Sequence, residues 1–531
     1  MNKKLFSIAA GIGLAALLTG CGTPSADVVK NEKDDKPVSL DWYINFSWYT
    51  TTWGDNEVSR AITDETGVSV DFVVPKGNES EKLDAMIASD TLPDLVTLGW
   101  WEAQCQEMIE QGKVYALNEL ADEYAPEFYE AANEETLNWY TQKDGNIYSY
   151  PSSSYTPEDV EKYDNVFSNH NFLVRKDIYE AIGSPDMTTQ EGFMDAVRKA
   201  AEQFPDVDGE PLIPIGSDEF TEKGCNSFDL YLQNFLAVPY EKNGEYYNRN
   251  LDPDYLSWLK VFRKLGEEGY LKEDIFIDKR SQLEQKIAKG QYFCLFYQNS
   301  DIADQQKSLN VQHPERIYIA VEGPRNLSGD DPVLPVVGIH GWTTTYISKN
   351  CKDPEKAIRF LAYLMSEEGQ KMVYLGVEGS MYDMVDGSPV AKPEVLELLN
   401  SDRTAYNKKY GGDDTYWMLQ NNAMQLAWEY NPDDSIRQMK EWTWPYTAYT
   451  GQYDLGFEDS EEGRTLYSKV QRIWGSTLPR LLLADSDEEF DRLIEECVQA
   501  GEEAGYERFA QLATEEFKSN KAKFGMVDEK D

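Results

Sequence analysis

The order of strand-like and helix-like segments at the start of the folded region limits what this chain can become. Val38-Ser39-Leu40-Asp41-Trp42-Tyr43-Ile44 alternates partly as a strand does, Ser69 to Val74 repeats the pattern, and Leu92 to Leu98 supplies a third short apolar run. Between the last two, Leu83, Met86 and Ile87 keep helical spacing after a start signal at Asn78 to Ser80. Strand–helix–strand order predicts a largely parallel sheet covered by helices, rather than a sandwich or a barrel. A chain of 531 residues is too long for one core and predicts two large lobes or about three average domains.

Farther along, helical signals dominate. Thr188 and Glu191 have the spacing of a capping box, with Phe193, Val197 and Ala200 marking one face after it. Asp252-Pro253 and Asp353-Pro354 each place an N-cap before a proline at the first helical position. Leu256, Leu259 and Phe262 follow the first, and Ile358, Leu361, Ala362 and Met365 the second, at core spacing. Ser486 and Glu489 open a helix that carries Phe490, Leu493, Ile494 and Cys497. No repeat of solenoid period is present.

Ahead of the first strand, MNKKLFSIAAGIGLAALLTGC has the anatomy of an export signal. Lys3 and Lys4 precede an apolar run from Leu5 to Leu18 that is too short to span a bilayer, and small residues follow. A buried N-terminal helix is the alternative, and the basic flank and polar continuation speak against it. The closing Leu18-Thr19-Gly20-Cys21 resembles the lipobox of bacterial lipoproteins. That resemblance implies cleavage before Cys21 and diacylglycerol on its sulfur; two acyl chains anchor stably where one does not. Residues 1–20 are thus expected to be a lipoprotein signal peptide, and residues 21–37, polar and poor in bulky apolar side chains, a lipidated flexible tether. The mature protein is expected outside the cytoplasm, held to the cell membrane by lipid alone, because no second apolar run reaches spanning length.

The formal charge of −45 repels phosphate backbones, and no Lys/Arg cluster offsets it, so nucleic acid is not an expected partner. Besides Cys21, five widely spaced cysteines remain (Cys105, Cys225, Cys294, Cys351 and Cys497) with no Cys-x-x-Cys pair. They do not form a disulfide framework pattern, although individual pairing stays open. Only three histidines exist, His170, His313 and His340, and none has the spacing of a zinc helix. Walker A and Gly-x-Ser-x-Gly motifs are absent, and the loose glycine pattern at Gly11 to Ala16 falls in the leader. No cofactor or metal is expected. Paired catalytic carboxylates leave no spacing signal among 95 acids, so an enzyme stays open as a rival.

Several segments together resemble the extracellular solute-binding lipoproteins of bacterial ABC importers, in particular the large branch linked to oligosaccharide uptake. These are "LDAMIASDTLPDLVTLGW", "GKVYALNELADEYAP", "DGNIYSYP", "NFLVRKDIYEAIGSPDMTTQEGFMDAVRKAAEQFPDVDG" and, strongest, "GIHGWTTTYISKNCKDPEKAIRFLAYLMSEEGQKMVYLGVEG". The resemblance runs from about Leu40 to Phe524. It implies a two-lobed α/β fold of the periplasmic-binding-protein type, with a hinge, a central cleft and a helix-rich C-terminal part. Hinge crossings are expected near Tyr148 to Ser154 and near Glu322 to Pro335. Lobe one would then be 38–150 plus about 323–385, and lobe two 151–322 plus about 386–531. Relatives often carry a calcium loop of the EF-hand type after the helix ending near Phe204. Here, with Gly209 at its sixth position, Phe204 and Ile215 would fall where carboxylates are required, so that site is expected to be missing.

Aromatic residues are the positive signal for a ligand. Thirteen Trp and 33 Tyr outnumber 21 Phe, and an indole can cover the apolar face of a sugar while Asp, Asn or Gln takes its hydroxyl rim. Most rings are expected to pack the cores, so context selects the candidates. Trp48, Tyr49 and Trp53 follow the first strand, and Trp100 and Trp101 follow the third, at the strand ends where open α/β sheets bind ligands. Trp342 lies beside the second expected hinge. Tyr297, Asn299 and Asp301 follow the strand-like YFCLFY. Trp442 and Trp444, with Tyr446 and Tyr449, can form an opposing wall or pack a helix against a lobe. Arg175 and Arg325 are the candidates for a local basic pocket that would admit an acidic glycan.

The leading expectation is a non-catalytic, monomeric binding protein that captures an extracellular oligosaccharide by hinge closure and passes it to ABC permease subunits. The alternatives are a lipid-anchored glycoside hydrolase or lyase, and a binding protein for a peptide or another small polar solute.

Overall fold

The computed structural model describes residues 36–77, 79–428, 430, 435–457 and 460–526. The expected signal peptide, Cys21, nearly all of the tether, and Asn78 lie outside the described residues. Among those described, no helix is long and apolar enough to cross a membrane.

Two sheets organise the chain. The first runs in the order Val68–Val73, Val38–Ile44, Leu95–Gly99, Thr343–Ile347 and Ser149–Pro151. Its first three strands are parallel, as the strand–helix–strand order predicts; Thr343–Ile347 runs antiparallel to them, and Ser149–Pro151, paired antiparallel to that strand, runs in their direction again. Alternation along Val38–Ile44 feeds both faces: Leu40, Trp42 and Ile44 enter one core, and Tyr43 the other. The helix Glu57–Thr66 buries Val58 and Ile62 on the first face; Glu79–Ser89 buries Leu83 and Ile87 on the second. Asp94, of the Leu-Pro-Asp string, is buried and accepts from the Asp41 amide at 2.7 Å and the Lys352 amide at 2.8 Å. It thereby ties the first strand to the turn after Thr343–Ile347.

The second sheet runs Tyr318–Ala320, His170–Arg175, Tyr292–Gln298 and Ile213–Gly216, and only its last pair is parallel. The largely parallel expectation therefore fails here, because the strands arrive through long connections instead of successive right-handed crossovers. Phe172, Val174, Cys294 and Phe296 face a core closed by Gln190–Gln203, Pro253–Glu267 and the C-terminal helices Glu461–Leu482 and Asp487–Ala504. Leu173, Leu295 and Tyr297 face the opposite core, with Leu283, Ile302, Leu309 and Met439.

The helix signals mostly hold, with one shift. Asp252, Asp353 and Ser486 cap their helices through side-chain oxygens. In the helix Gln190–Gln203, however, Thr189 is the cap, accepting from the Gly192 amide. Thr188 is withdrawn into a turn, both its amide and its hydroxyl donating to Asp186. The segment after Phe204 is a short hairpin, Asp206–Val207 against Glu210–Pro211, and the Arg316 guanidinium grips both oxygens of Asp208 at its turn. Among the described residues, Cys105, Cys225, Cys294, Cys351 and Cys497 form no disulfide.

The grouping of the later chain departs from the expectation. Val395, Leu399, Tyr406, Tyr410, Tyr416 and Trp417 pack in the core of the first sheet, so residues 393–419 belong there and not with the second. The reason is that the helices Pro393–Ser401 and Arg403–Lys409 supply apolar faces to the layer that Pro354–Met365 begins. The chain reaches the second sheet's cores only at Ile436 and Met439. Phe524 then returns to stack on Trp139, with ring centres 4.8 Å apart.

Candidate functional site

The turns that leave the first sheet are fixed by one carboxylate. Glu102 accepts from the Gly99 amide at 2.9 Å and from Asn45 at 2.6 Å, and so clamps the ends of Leu95–Gly99 and Val38–Ile44 side by side. From that clamp, one turn carries Phe46 to Tyr49 and the other Trp100 and Trp101. Trp101 folds back onto Gly99, where any Cβ would lie 2.6 Å from the indole; only glycine admits that approach. Its ring nevertheless stays 51% exposed.

A cleft of about 670 Å³ opens between the first sheet's turns and the helices of the second. Trp48, Tyr49, Arg403, Asp413, Asp414 and Trp417 line one side. Asp304 and Lys307 of the helix Asn299–Gln312, with Arg437, Lys440, Glu441 and Trp444, line the other. Tyr155, Phe167, Gln420 and Gln425, from the segments connecting the two sides, also line it. This volume lies in the range of small-molecule sites.

One wall is aromatic. Trp48 stacks nearly parallel to Trp342, with ring centres 6.0 Å apart and planes at 9°. Trp342 in turn lies 4.4 Å from Trp417. Trp48 is 56% exposed and presents its free face to the cleft, while Trp342 forms the layer behind it. Tyr49 is buried, and its hydroxyl donates to the Thr415 carbonyl at 3.3 Å, joining the two lining turns. Trp444 is the exposed ring of the opposite side.

The polar floor is built by the turn Gly411 to Asp414. A Cβ at Gly411, whose φ is +80°, would meet Asn56 at 2.4 Å. The Asp413 and Asp414 backbone amides donate to the carbonyls of Tyr374 and Val373. Arg403 pairs with the Asp413 carboxylate and donates to its carbonyl at 2.7 Å. Asp414 accepts from Gln425 at 2.8 Å and from Gln420 at 2.9 Å. Burial first, and the Asp413 charge second, push the Asp414 carboxyl up to about 8, against the pull of Gln425, Arg403 and Lys440.

Of the residues singled out in the sequence, the structure brings Trp48, Tyr49 and Trp444 to this cleft, with Trp342 directly behind. Trp53 goes elsewhere: it packs on Tyr416 at 4.7 Å and donates to Thr63 at 2.9 Å, inside the first core. Trp442 stacks on Phe235 at 5.7 Å between the second sheet's cores. Tyr297 points into a core because the strand alternates it inward, and Asn299 is fully buried, donating to the Ser168 carbonyl at 2.9 Å. Asp301 is held by Arg280 at 3.1 Å, outside the lining. Trp100 lies flat against His340 at 4.2 Å, and Trp101 sits beside it. Arg175 is buried against Asp177 and the Gly290 carbonyl, and Arg325 is held by Glu322 and Asp331, so neither is a cleft cation. The cleft cations are Lys307, Arg403, Arg437 and Lys440, which sequence reasoning missed together with Asp414, Trp417, Gln420 and Gln425. The string Gly-Gly-Asp-Asp-Thr-Tyr-Trp at 411–417, a turn signal running into aromatics, was the available clue. Among the described residues no group of three or more His, Cys, Asp or Glu side chains is placed to hold a metal ion.

Known proteins share this architecture. Lipoprotein LipO of Bacillus subtilis (strain 168) is 21% identical over 338 residues, which is 62% of this chain and 64% of LipO, less than two thirds of that relative. The alginate-binding protein AlgQ2 superposes with a TM-score of 0.67 at 19% identity, covering 91% of this chain and 98% of AlgQ2. The Streptococcus pneumoniae ABC-transporter substrate-binding protein FusA, in complex with kestose, gives a TM-score of 0.67 at 16% identity, over 91% of this chain and 100% of that one. The N-glycan transport solute-binding protein NgtS of Streptococcus pneumoniae gives 0.56 at 16% identity, over 91% and 99%. These likenesses identify the two-lobed α/β fold of solute-binding proteins. The family profile of bacterial extracellular solute-binding proteins matches residues 57–392, most of the folded chain, and the protein belongs to that family.

Proposed function

We propose that this protein is the substrate-binding lipoprotein of an ABC importer, capturing an extracellular oligosaccharide and delivering it to permease subunits without altering it. The observation that carries this reading is the cleft itself, with an aromatic wall of Trp48 over Trp342 and Trp417 facing polar and charged side chains. A sugar ring offers an apolar C–H face and a rim of hydroxyls, and this pairing of surfaces matches both. The structural neighbours that bind alginate, kestose and N-glycan fragments support the ligand class. Lipidation at Cys21 with a tether to residue 37, and action as a monomer, complete the proposal. The 38–150 and 323–385 segments would form lobe one, with 393–419 added to it, and 151–322 and the C-terminal helices lobe two.

The test is a thermal-shift screen with kestose, mannose–GlcNAc oligosaccharides, milk oligosaccharides and alginate oligomers, together with a peptide library, with the glycans checked for cleavage. Binding to the native state raises the melting temperature by mass action. At least one glycan is expected to raise it and to be recovered intact. Shifts with peptides alone, or release of cleaved products, would overturn the reading.

A further inference from the structure

The two sides of the molecule also meet away from the cleft. The helix Gln104–Glu110 of the first side faces the helix Glu461–Leu482 of the second, where Arg464 lies 3.8 Å from the Glu110 carboxylate. The Arg464 guanidinium is steadied by a 2.8 Å bond to the Phe457 carbonyl. The helix Tyr506–Lys523 joins the second side through Phe509, Leu512 and Ala513, which pack with Leu466 and Tyr467. Its end then leaves that body. Phe524 stacks on Trp139 of the first side, with ring centres 4.8 Å apart and planes at 17°, and the Lys523 ammonium lies 4.6 Å from the same indole. Trp139 sits in a small core with Tyr140, Ile147 and Ile339, the last from the connection between Leu334 and Thr343. On that connection the His340 ring meets Asp454 at 3.1 Å, and Asn520 donates to the Asp454 carbonyl at 2.9 Å.

These contacts and the cleft lie on opposite faces of both sheets. In the first sheet, the cleft residues Tyr49 and Trp417 belong to the core beneath one face, whereas Met108 of the helix Gln104–Glu110 belongs to the core beneath the other. In the second sheet, the cleft helices Asn299–Gln312 and Arg437–Thr443 cover one face through Ile302, Leu309 and Met439. The helix Glu461–Leu482 covers the opposite face through Trp474, Leu478 and Leu481. The connections run between them: Tyr155, Phe167, Gln420 and Gln425 line the cleft, while Ile339 and His340 touch Trp139. A turn of one side about these connections that narrows the cleft must widen the gap on the other face.

We propose that these contacts form a clasp that holds the cleft open, and that a ligand closes the cleft by breaking it. The ligand in this scheme is the oligosaccharide proposed above; the clasp itself stands on the packing alone. An exposed ion pair and one aromatic stack are small terms, which suits a device that ligand contacts must outweigh. A protein that binds tightly only when closed loses apparent affinity in proportion to the fraction that is open. The clasp therefore lowers affinity, and a substitution that weakens it tightens binding although it touches no residue of the cleft.

Two variants outside the cleft test this. Phe524→Ala removes the stack. Glu110→Lys, at a side chain 59% exposed, sets like charge against Arg464 without emptying a core, and it decides the matter where Phe524→Ala costs stability. Small-angle scattering of the ligand-free proteins should give a smaller radius of gyration for both variants than for the wild type, and the same radius for all three once saturated. Calorimetry with whichever glycan of the screen gives the largest thermal shift should show each variant binding about fivefold tighter or more. A ligand-free radius in Glu110→Lys that is unchanged or larger, or a glycan affinity that is unchanged or weaker, would overturn the clasp and leave the oligosaccharide reading standing. A blank glycan screen would overturn that reading, and the ligand-free radii would still decide whether the clasp holds the cleft open.

Discussion

Trp48 and Trp53 leave the same strand end and meet different fates. Trp48 stacks on Trp342 and turns its free face to the cleft, whereas Trp53 is locked between Tyr416, Phe72 and Phe360 with its N–H on Thr63. Replacing Trp48 with alanine is therefore expected to weaken glycan binding by about 2 kcal/mol, the loss of a central aromatic anchor, with little change in stability. Trp53→Ala should do the reverse, costing about 3 kcal/mol of stability through the cavity it leaves, with the affinity of the folded molecules unchanged. Titration calorimetry and urea unfolding of both variants separate the two roles, and equal effects on both readouts would refute the assignment. The sequence marked both rings because both follow a strand end. It could not separate them, because the choice depends on Tyr416 and Trp417, which lie more than three hundred positions away. Asp414 was hidden for a different reason: its partners Gln420 and Gln425 are near in sequence, but the aspartates of 413–414 read as ordinary turn residues and nothing local says that the turn faces a cleft.

At the scale of elements, local signals carried what local physics determines. The strand Val38–Ile44 and the helices capped by Asp252, Asp353 and Ser486 are set by alternation and caps within a few residues, and the structure reproduces them. Which core a helix joins is not local, and residues 393–419 show it: their apolar spacing marks helices, while their place in the first core is set by the layer they pack on. The C-terminal helix Glu461–Leu482 is tied to the second core by a buried carboxylate. Asp229 accepts from Trp474 at 2.6 Å, from the Cys225 amide at 2.7 Å and from Tyr255 at 3.1 Å. Burial pushes Asp229 up to about 6 against these donors. Asp229→Ala would strand all three, and buried donors without acceptors cost about 1–3 kcal/mol each, so urea unfolding should show a loss of at least about 3 kcal/mol. In the wild type, this carboxyl makes stability fall as pH rises from near 4 to 6, because the unfolded chain gives up the proton first. An Asp229→Ala variant as stable as the wild type would mean that the helix is held by its apolar face alone.

At the scale of the molecule, the described residues pass between the two groups of cores three times. They do so between Pro151 and His170, between Leu334 and Thr343, and between Leu419 and Ile436. The first two passages coincide with segments rich in Gly, Pro or Ser, while the third, between Leu419 and Ile436, carries no such signal until Pro432. Two of the three line the cleft: Tyr155 and Phe167 come from the first, Gln420 and Gln425 from the third. A ligand bound there touches both sides and the connections at once. Contacts that exist only when the sides are close favour the closed arrangement by their full differential free energy, and a ligand without such contacts shifts nothing. Saturation with a bound glycan is thus expected to lower the radius of gyration measured by small-angle scattering. Because Trp444 belongs to the second side, Trp444→Ala should reduce that contraction more than it reduces occupancy at saturating ligand. A glycan that saturates the cleft while the scattering curve stays unchanged would mean that the two sides are already fixed in the arrangement that binds.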